Sequence, residues 1–457
     1  MPDELILSGT ATTAVATEQL GAAATLLRKL TAEAGYLIMR VSGADSITSR
    51  AVLWWYEAPA CAFEAEADMD VALAGLFQLQ SMAQSLEWAL NSAADGYGFV
   101  EAMAGRAFRS IMGDVAGGAG TASLVNPALL VGVASLAAIG LRDPQVRGNP
   151  ATVEAIRQSV SASDDALLGR LGVPRPVARI VGDDGLGIVG VSASAAGLAA
   201  TGAALGLVRN RPVRLVSAST PLATTAPTSF EDRVSRLPRP GAGDGSQVTI
   251  ESYEAPGEPT RYAVYIAGTV DFDPLVLDEP FDMESNVLNA AGPGSGSYEA
   301  VLAAMAAAGV DENSPVQLVG YSQGGGTAAR IAESGLFDVK GILTFGGPTG
   351  TIDLPGGVPA VLVEHTDDIV PALGGVQGNA DAVLVSRQVF ETGRTPTGEP
   401  VPAHLLPTYR DTAALMDSST APQLRDSIEG FNAFSAGATV TVTSYEFERT
   451  GATFVRG

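Results

Sequence analysis

The sequence predicts an α/β fold with a mostly parallel sheet, preceded by an all-α helical hairpin or small bundle. Two observations point there. Beyond residue 246, short β-rich runs alternate with helical stretches, the pattern of βαβ units. Before residue 110, apolar residues recur in steps of three and four, the pattern of amphipathic helices. The expected divisions are a helical hairpin domain over 1–115, apolar small-residue segments and a linker over 116–245, and the α/β domain over 246–457.

The first helical stripe is Leu20, Ala23, Leu27, Leu30, Ala34, Leu37 and Val41; the second is Leu76, Leu79, Ala83, Leu86, Leu90, Ala93 and Tyr97. Two such stripes bury themselves most simply against each other, and residues 10–110 also offer a surface for self-association or a helical partner. Between them stand Trp54, Trp55, Tyr56 and the breaker Pro59. Cys61, in Pro-Ala-Cys-Ala-Phe, has no nearby base and reads as a small buried hydrophobe.

In the middle third, Leu124–Leu141 is apolar but contains Asn126 and Pro127, so a buried or flexible segment is expected rather than a membrane span; membrane contact stays open. Gly185–Val208 is similarly built of small residues. Gly182–Gly190 lacks the lysine of a phosphate-binding loop, so no nucleotide is expected. SASTPLATTAPTS reads as a linker that LPRPGAGDG closes.

Composition narrows the functions. A net charge of −23 over 457 residues leaves no basic face for nucleic acid or an anionic membrane. One cysteine excludes an internal disulfide framework and a cysteine-based metal site. Two histidines, His365 and His404, argue against a zinc centre and narrow any search for a catalytic base. MPDELILSG has no basic stretch ahead of a long apolar core, so no Sec-type signal peptide is expected.

In the last domain the expected strands are Val248–Tyr253, Tyr262–Ala267, Val316–Val319, Ile342–Phe345 and Ala360–Val363, with helices at SYEAVLAAMAAAG and after Ser322. Residues 315–333 read PVQLVGYSQGGGTAARIAE: a strand run, then Gly320-Tyr321-Ser322-Gln323-Gly324, then a helical stretch. With 53 glycines in the chain, G-x-S-x-G alone carries little. Its setting carries more. At a strained strand-to-helix elbow the glycines leave room beside the serine, whose Oγ must stand clear of the sheet.

A serine hydroxyl needs a base to take its proton. On the fold that uses this elbow, an acid and then a histidine follow the serine. VPAVLVEHTDDIVPALGG supplies a strand followed by Asp367 and Asp368, and His404 in VPAHLLPTYR is the remaining histidine. His365 lies too close before the acids to reach around them; it is expected to be a partly buried strand-end residue without a role. The N–H of Gln323, at a helix start, is an expected oxyanion donor. The N–H of Thr269, behind Gly268 at the end of YAVYIAGTVDF, is a second candidate, or else part of an ordinary strand-ending turn. Asp271, Asp273, Asp278, Glu279, Asp282 and Glu284 lack EF-hand spacing and read as a solvated acidic loop, so no metal is expected.

Four stretches, YIAGT, GYSQGG, ILTFGGP and HTDDIVP, resemble the serine esterases and lipases of the α/β-hydrolase superfamily. In lipase-like members the triad acid stands two residues before Val-Pro, which matches Asp368 in Asp368-Ile369-Val370-Pro371. The resemblance implies an α/β-hydrolase catalytic domain that cleaves small-molecule or lipid esters through an acyl-enzyme, using Ser322, Asp368 and His404 and no cofactor or metal. The usual long cap insertion is missing; DFDPLVLDEPFDMESNVLNAAGPGSGS is the sizeable insertion near the site. The N-terminal helices are similar to WXG100-like proteins exported by type VII secretion in actinobacteria. Tyr97-Gly98-Phe99-Val100-Glu101 fits their Tyr-x-x-x-Asp/Glu signal, whereas Trp54-Trp55-Tyr56 lacks the glycine of their Trp-x-Gly turn. That likeness implies a secreted or cell-envelope protein, against a cytoplasmic alternative. The alternative function is a catalytically inactive hydrolase-fold binding protein linked to that secretion.

Overall fold

A computed structural model describes residues 5–8, 28–29, 31–43, 72–73, 75–77, 79–80, 83–84, 143–161, 210–240, 245–272 and 278–450. The chain forms two compact units, residues 12–111 and residues 1–11 with 112–457. In the larger unit the strands are β1 Leu5–Ser8, β2 Val213–Ala218, β3 Leu222–Thr224, β4 Val248–Glu254, β5 Arg261–Ile266, β6 Pro315–Tyr321, β7 Asp338–Phe345, β8 Ala360–His365, β9 Val383–Arg387 and β10 Thr439–Arg449. Its helices are α1 Pro144–Arg147, α2 Pro150–Ser161, α3 Phe230–Ser235, α4 Met283–Ala291, α5 Gly296–Ala307, α6 Gln323–Glu333, α7 Ile369–Ala372, α8 Leu406–Ser418 and α9 Pro422–Ser435, with a 3₁₀ turn at Pro402–His404.

The strands form one sheet in the order β1-β9-β8-β7-β6-β5-β4-β10-β2, with β3 also pairing β10. From β5 to β9 neighbours run parallel. The remaining pairings, β1 on β9, β4 on β5 and β10 on β4, β2 and β3, are antiparallel. The class is α/β, but the expected mostly parallel sheet is corrected to a mixed one. β4 and β5 are joined by a short turn, which permits only an antiparallel partner, whereas the parallel pair β6 and β7 is linked through α6. The sheet also reaches outside 246–457, because β1, β2 and β3 belong to it and α3 packs on its face.

Side chains alternate across the central strands, so two cores form. Val264, Ile266, Leu318 and Ile342 face α5 and α6 on one side. Tyr265, Val319, Leu343, Phe345 and Val363 face α3, α8 and α9 on the other. Burial on both faces explains why these strands read as continuous apolar runs rather than as alternating ones. The α/β/α layering leaves the carboxyl ends of β5, β6 and β8 as the place where loops meet, the usual position of a site in such sheets.

In the smaller unit, residues 31–43 are helical, as are the described pieces between 72 and 84. The Gln80 side chain donates to the Thr31 carbonyl, so these two stretches touch. In the first stripe Ala34 is buried as expected, but Ile38 is buried in place of Leu37; in the second, Ala83 is buried and Leu79 exposed. Cys61, Tyr97–Glu101 and Leu124–Leu141 lie outside the described residues. Among the described residues no helix is long and apolar enough to cross a membrane.

Candidate active site

Ser322 stands between the last residue of β6 and the first of α6, with φ 54° and ψ −122°. Among the described residues the only other non-glycine with positive φ is Asn210. A side chain held this way costs about 1–3 kcal/mol and persists only where its surroundings leave no alternative. Here those surroundings are glycines. A Cβ on Gly320 would lie 2.2 Å from the Gly324 carbonyl oxygen, and one on Gly324 would lie 2.4 Å from the carbonyl oxygens of both Ile266 and Ala267. Strand β6 thus turns into α6 while pressed against the end of β5. The Ser322 N–H donates to Phe345 O on β7 at 2.9 Å, and its carbonyl accepts from Gly325 N–H, starting the helix.

His404 reaches the serine from the 3₁₀ turn. Its Nε2 lies 2.8 Å from Ser322 Oγ and its Nδ1 lies 2.6 Å from Asp368 Oδ2. Because the carboxylate can only accept, Nδ1 carries a proton and Nε2 is left as the acceptor for the serine hydroxyl. Asp368 is fully buried and has a donor on every side. Oδ2 also accepts from Tyr409 OH at 2.7 Å, and Oδ1 accepts from Val370 N–H at 3.0 Å, capping α7. Burial alone would raise its pKa; the His404 charge and hydrogen bond, with those of Val370 and Tyr409, outweigh it and hold the carboxyl below its ordinary value.

The choice between the two aspartates is decided by direction. Asp367 points away from His404 and accepts from Val389 N–H and Phe390 N–H, pinning the exit of β9. Burial raises its pKa instead.

Of the two expected oxyanion donors, Gln323 directly follows the serine, and Thr269 follows Gly268, which packs against it. Gln323 opens α6, where the helix dipole favours negative charge. Its side chain is buried, with Nε2 donating to Asp282 O at 2.8 Å. Gly268 lies so close that a Cβ there would be 2.9 Å from Tyr321 Cδ1 and 3.0 Å from Ser322 Cβ, and Thr269 is the next residue along the chain. Asn286 Nδ2 donates to Thr269 Oγ1 and fixes that loop to α4.

Two expectations are corrected. His365 is wholly buried rather than partly, since Nδ1 and Nε2 each have a partner and the ring stacks on Tyr409. The acidic run is not simply a solvated loop. Asp282 is buried, caps α4 through Ser285 N–H and pairs with buried Arg449. Glu279 accepts from Phe281 N–H and Gln247, and burial pushes its pKa up to about 7. Asp273 lies outside the described residues. Among the described residues no group of three or more His, Cys, Asp or Glu side chains is placed to hold a metal.

Tyr321 and Tyr409 also belong to the site, although the sequence motifs do not single them out. Tyr321 stacks on the His404 ring at 5.2 Å and donates its hydroxyl to the His404 carbonyl. Its place inside the G-x-S-x-G stretch was the available signal. Tyr409 carries none, because its partner Asp368 is 41 residues away.

A small cavity lies along α6, lined by Asn286 and Asn289 of α4, Gln323 and Arg330 of α6, and Pro348 and Leu373; Ser322, Asp368 and His404 are not among its lining residues. Exposed Phe272, Met283, Leu373 and Leu405 sit on the segments that carry the site. Such an arrangement is able to take the serine proton onto an imidazole, hold the resulting cation against a carboxylate, and offer N–H groups to a developing oxyanion. No protein-family model matches the chain, and no curated protein or solved structure compared with it does either.

Proposed function

We propose that the chain is a serine hydrolase of the α/β-hydrolase type that cleaves carboxylic esters. The observation that carries this reading is the hydrogen-bonded chain Asp368–His404–Ser322, ending on a serine held in strained backbone between two glycines that tolerate no side chain. His404 Nε2 takes the Ser322 proton as Oγ attacks the ester carbonyl. The N–H groups of Gln323 and Thr269 hold the oxyanion of the tetrahedral adduct. As the adduct collapses, His404 gives its proton to the leaving alkoxide, and an acyl-enzyme remains on Ser322. Water, deprotonated by the same nitrogen, then releases the acid. Asp368 keeps the imidazole in the required tautomer and stabilises its cation throughout. The apolar side chains on the surrounding segments favour an ester whose acyl part is apolar.

Labelling with a fluorophosphonate probe, alongside hydrolysis of p-nitrophenyl esters of graded chain length, tests this. The wild-type protein is expected to be modified, and Ser322→Ala to be unmodified and slower by several orders of magnitude. Well-folded wild type that neither labels nor hydrolyses any ester of the series would leave an inactive hydrolase-fold binding protein as the reading.

A further inference from the structure

His365 is a buried imidazole that none of these steps uses. It ends β8, three residues before Asp368, and its ring lies flat on Tyr409, with centroids 3.9 Å apart and planes at 11°. Nδ1 lies 2.7 Å from the carbonyl oxygen of Ala403, inside the 3₁₀ turn that carries His404. Nε2 lies 2.7 Å from Thr412 Oγ1, which also accepts from Arg387 Nη1 at 3.0 Å.

Burial pushes the His365 pKa down to about 4, so near neutral pH the ring has one N–H to give. A carbonyl can only accept, so that N–H is on Nδ1, and Nε2 accepts from the Thr412 hydroxyl. The Thr408 carbonyl, 3.0 Å from the same hydroxyl, competes for its proton. The Ala403 carbonyl has a second donor in Thr408 Oγ1 at 3.0 Å, but that hydroxyl has a closer acceptor in Leu405 O at 2.6 Å. Consecutive carbonyls of the turn are therefore gripped from two strands: Ala403 by His365 on β8, and His404 by Tyr321 on β6.

We propose that His365 is a positioning residue that sets the His404 imidazole between Asp368 and Ser322. The acid and the turn that presents the base then move as one body with β8, and Tyr409 closes the loop by stacking on His365 while donating to Asp368. This rests on the esterase reading. Its physical basis is that reacting groups displaced by about 1 Å lose on the order of 10²-fold in rate.

The test compares wild type with His365→Phe, His365→Asn and Thr412→Val. Phe keeps the stacked ring and removes both hydrogen bonds. Asn places an amide N–H near the position of Nδ1, and Thr412→Val leaves the Nδ1 bond in place while removing the partner of Nε2 together with an acceptor of Arg387 Nη1. The expected result is a fall in kcat of about 10²-fold for Phe with KM little changed, and recovery to within about tenfold of wild type for Asn. The low-field proton resonance of the Asp368–His404 hydrogen bond is expected to shift or broaden in the Phe and Val variants. That signal reads the geometry whether or not an ester is cleaved. If the Phe variant does not fold, His365→Leu, which also removes both hydrogen bonds, takes its place in the comparison with Asn. Folded variants with wild-type kcat and an unaltered resonance overturn the proposal, as does equal loss in Asn and Phe, which assigns the effect to packing alone. Failure of the wild type to label with fluorophosphonate overturns the esterase reading instead.

Discussion

Replacing Asp368 with asparagine tests the site through one fixed donor. The carboxylate accepts from His404 Nδ1 and Tyr409 OH on Oδ2, and from the Val370 N–H on Oδ1. An asparagine can place its amide oxygen at only one of those two positions. With the oxygen toward His404, the amide N–H₂ faces the Val370 N–H, a buried donor against a donor that cannot rotate away. Leaving such groups unsatisfied costs about 1–3 kcal/mol. With the oxygen toward Val370, the amide donates to His404, and the Tyr409 hydroxyl turns to accept the second amide proton. That second arrangement leaves only the Tyr409 hydroxyl proton without its acceptor, whereas the first sets two N–H donors against each other, so the fold selects the second. It also forces His404 into the tautomer with the proton on Nε2, where it is unable to take a proton from Ser322. The same exchange in an aspartate-held serine triad lowers kcat by about 10⁴, or about 5.5 kcal/mol of transition-state stabilisation. Asp368→Asn is thus expected to lower kcat for p-nitrophenyl ester hydrolysis by that order while melting within a few degrees of wild type. Asp367→Asn is the control. It loses a cap on the Val389 and Phe390 N–H groups, so it is expected to lose about 1–3 kcal/mol of stability and keep kcat within several-fold. A folded Asp368→Asn protein with near wild-type kcat, or a reversal of the two variants, would refute the reasoning.

Two other outcomes follow from geometry and charge. Gly324→Ala places a methyl 2.4 Å from two backbone carbonyl oxygens, whereas the nearest atom to a Cβ on Gly326, two residues along α6, lies at 3.5 Å. Gly324→Ala should lose about 3 kcal/mol or more and at least tenfold in kcat; Gly326→Ala should be neutral or gain up to about 1 kcal/mol, as read from urea melts and ester turnover. Equal stability of the pair would count against the close packing of the elbow. Glu279 has a folded pKa of about 7 against an ordinary 4.5, so it favours the fold fully below pH 4.5, and that contribution fades as pH rises through 7. Glu279→Gln should therefore gain stability over wild type at pH 8 relative to pH 5, by on the order of 2–3 kcal/mol, and a pH-independent difference in melts would dismiss the effect.

Much of the parallel core was legible because its strands are buried on both faces and therefore read as apolar runs between glycine- and proline-rich turns. The strands at Val248, Tyr262, Val316, Ile342 and Ala360 begin within a few residues of where those runs begin. β10 was legible in part, since Val440 and Val442, then Tyr445 and Phe447, alternate with polar residues; the parity changes between the pairs, and Val440 joins one core while Tyr445 and Phe447 join the other. β1 was not. It is four residues long and owes its conformation to pairing with β9, nearly 380 positions away. In the N-terminal stripe Ala34 is buried as the spacing predicts, but Leu37 and Ile38 are both apolar and burial falls on Ile38.

At the site, local chemistry determined the serine, the flanking glycines and the histidine. The elbow is a matter of neighbouring residues, and two histidines left little to choose. What only the tertiary structure decided was direction. Asp367 and Asp368 are adjacent and chemically identical, yet successive side chains leave the backbone on different sides, and one meets His404 while the other caps the exit of β9. His365 lies too close in sequence to the acids to read as the base of a triad. Its role depends on distances to Ala403 and Thr412 across 38 and 47 residues. A hydrogen bond between parts of the chain that far apart leaves no periodicity, spacing or composition behind it, and only the packed fold brings its two ends together.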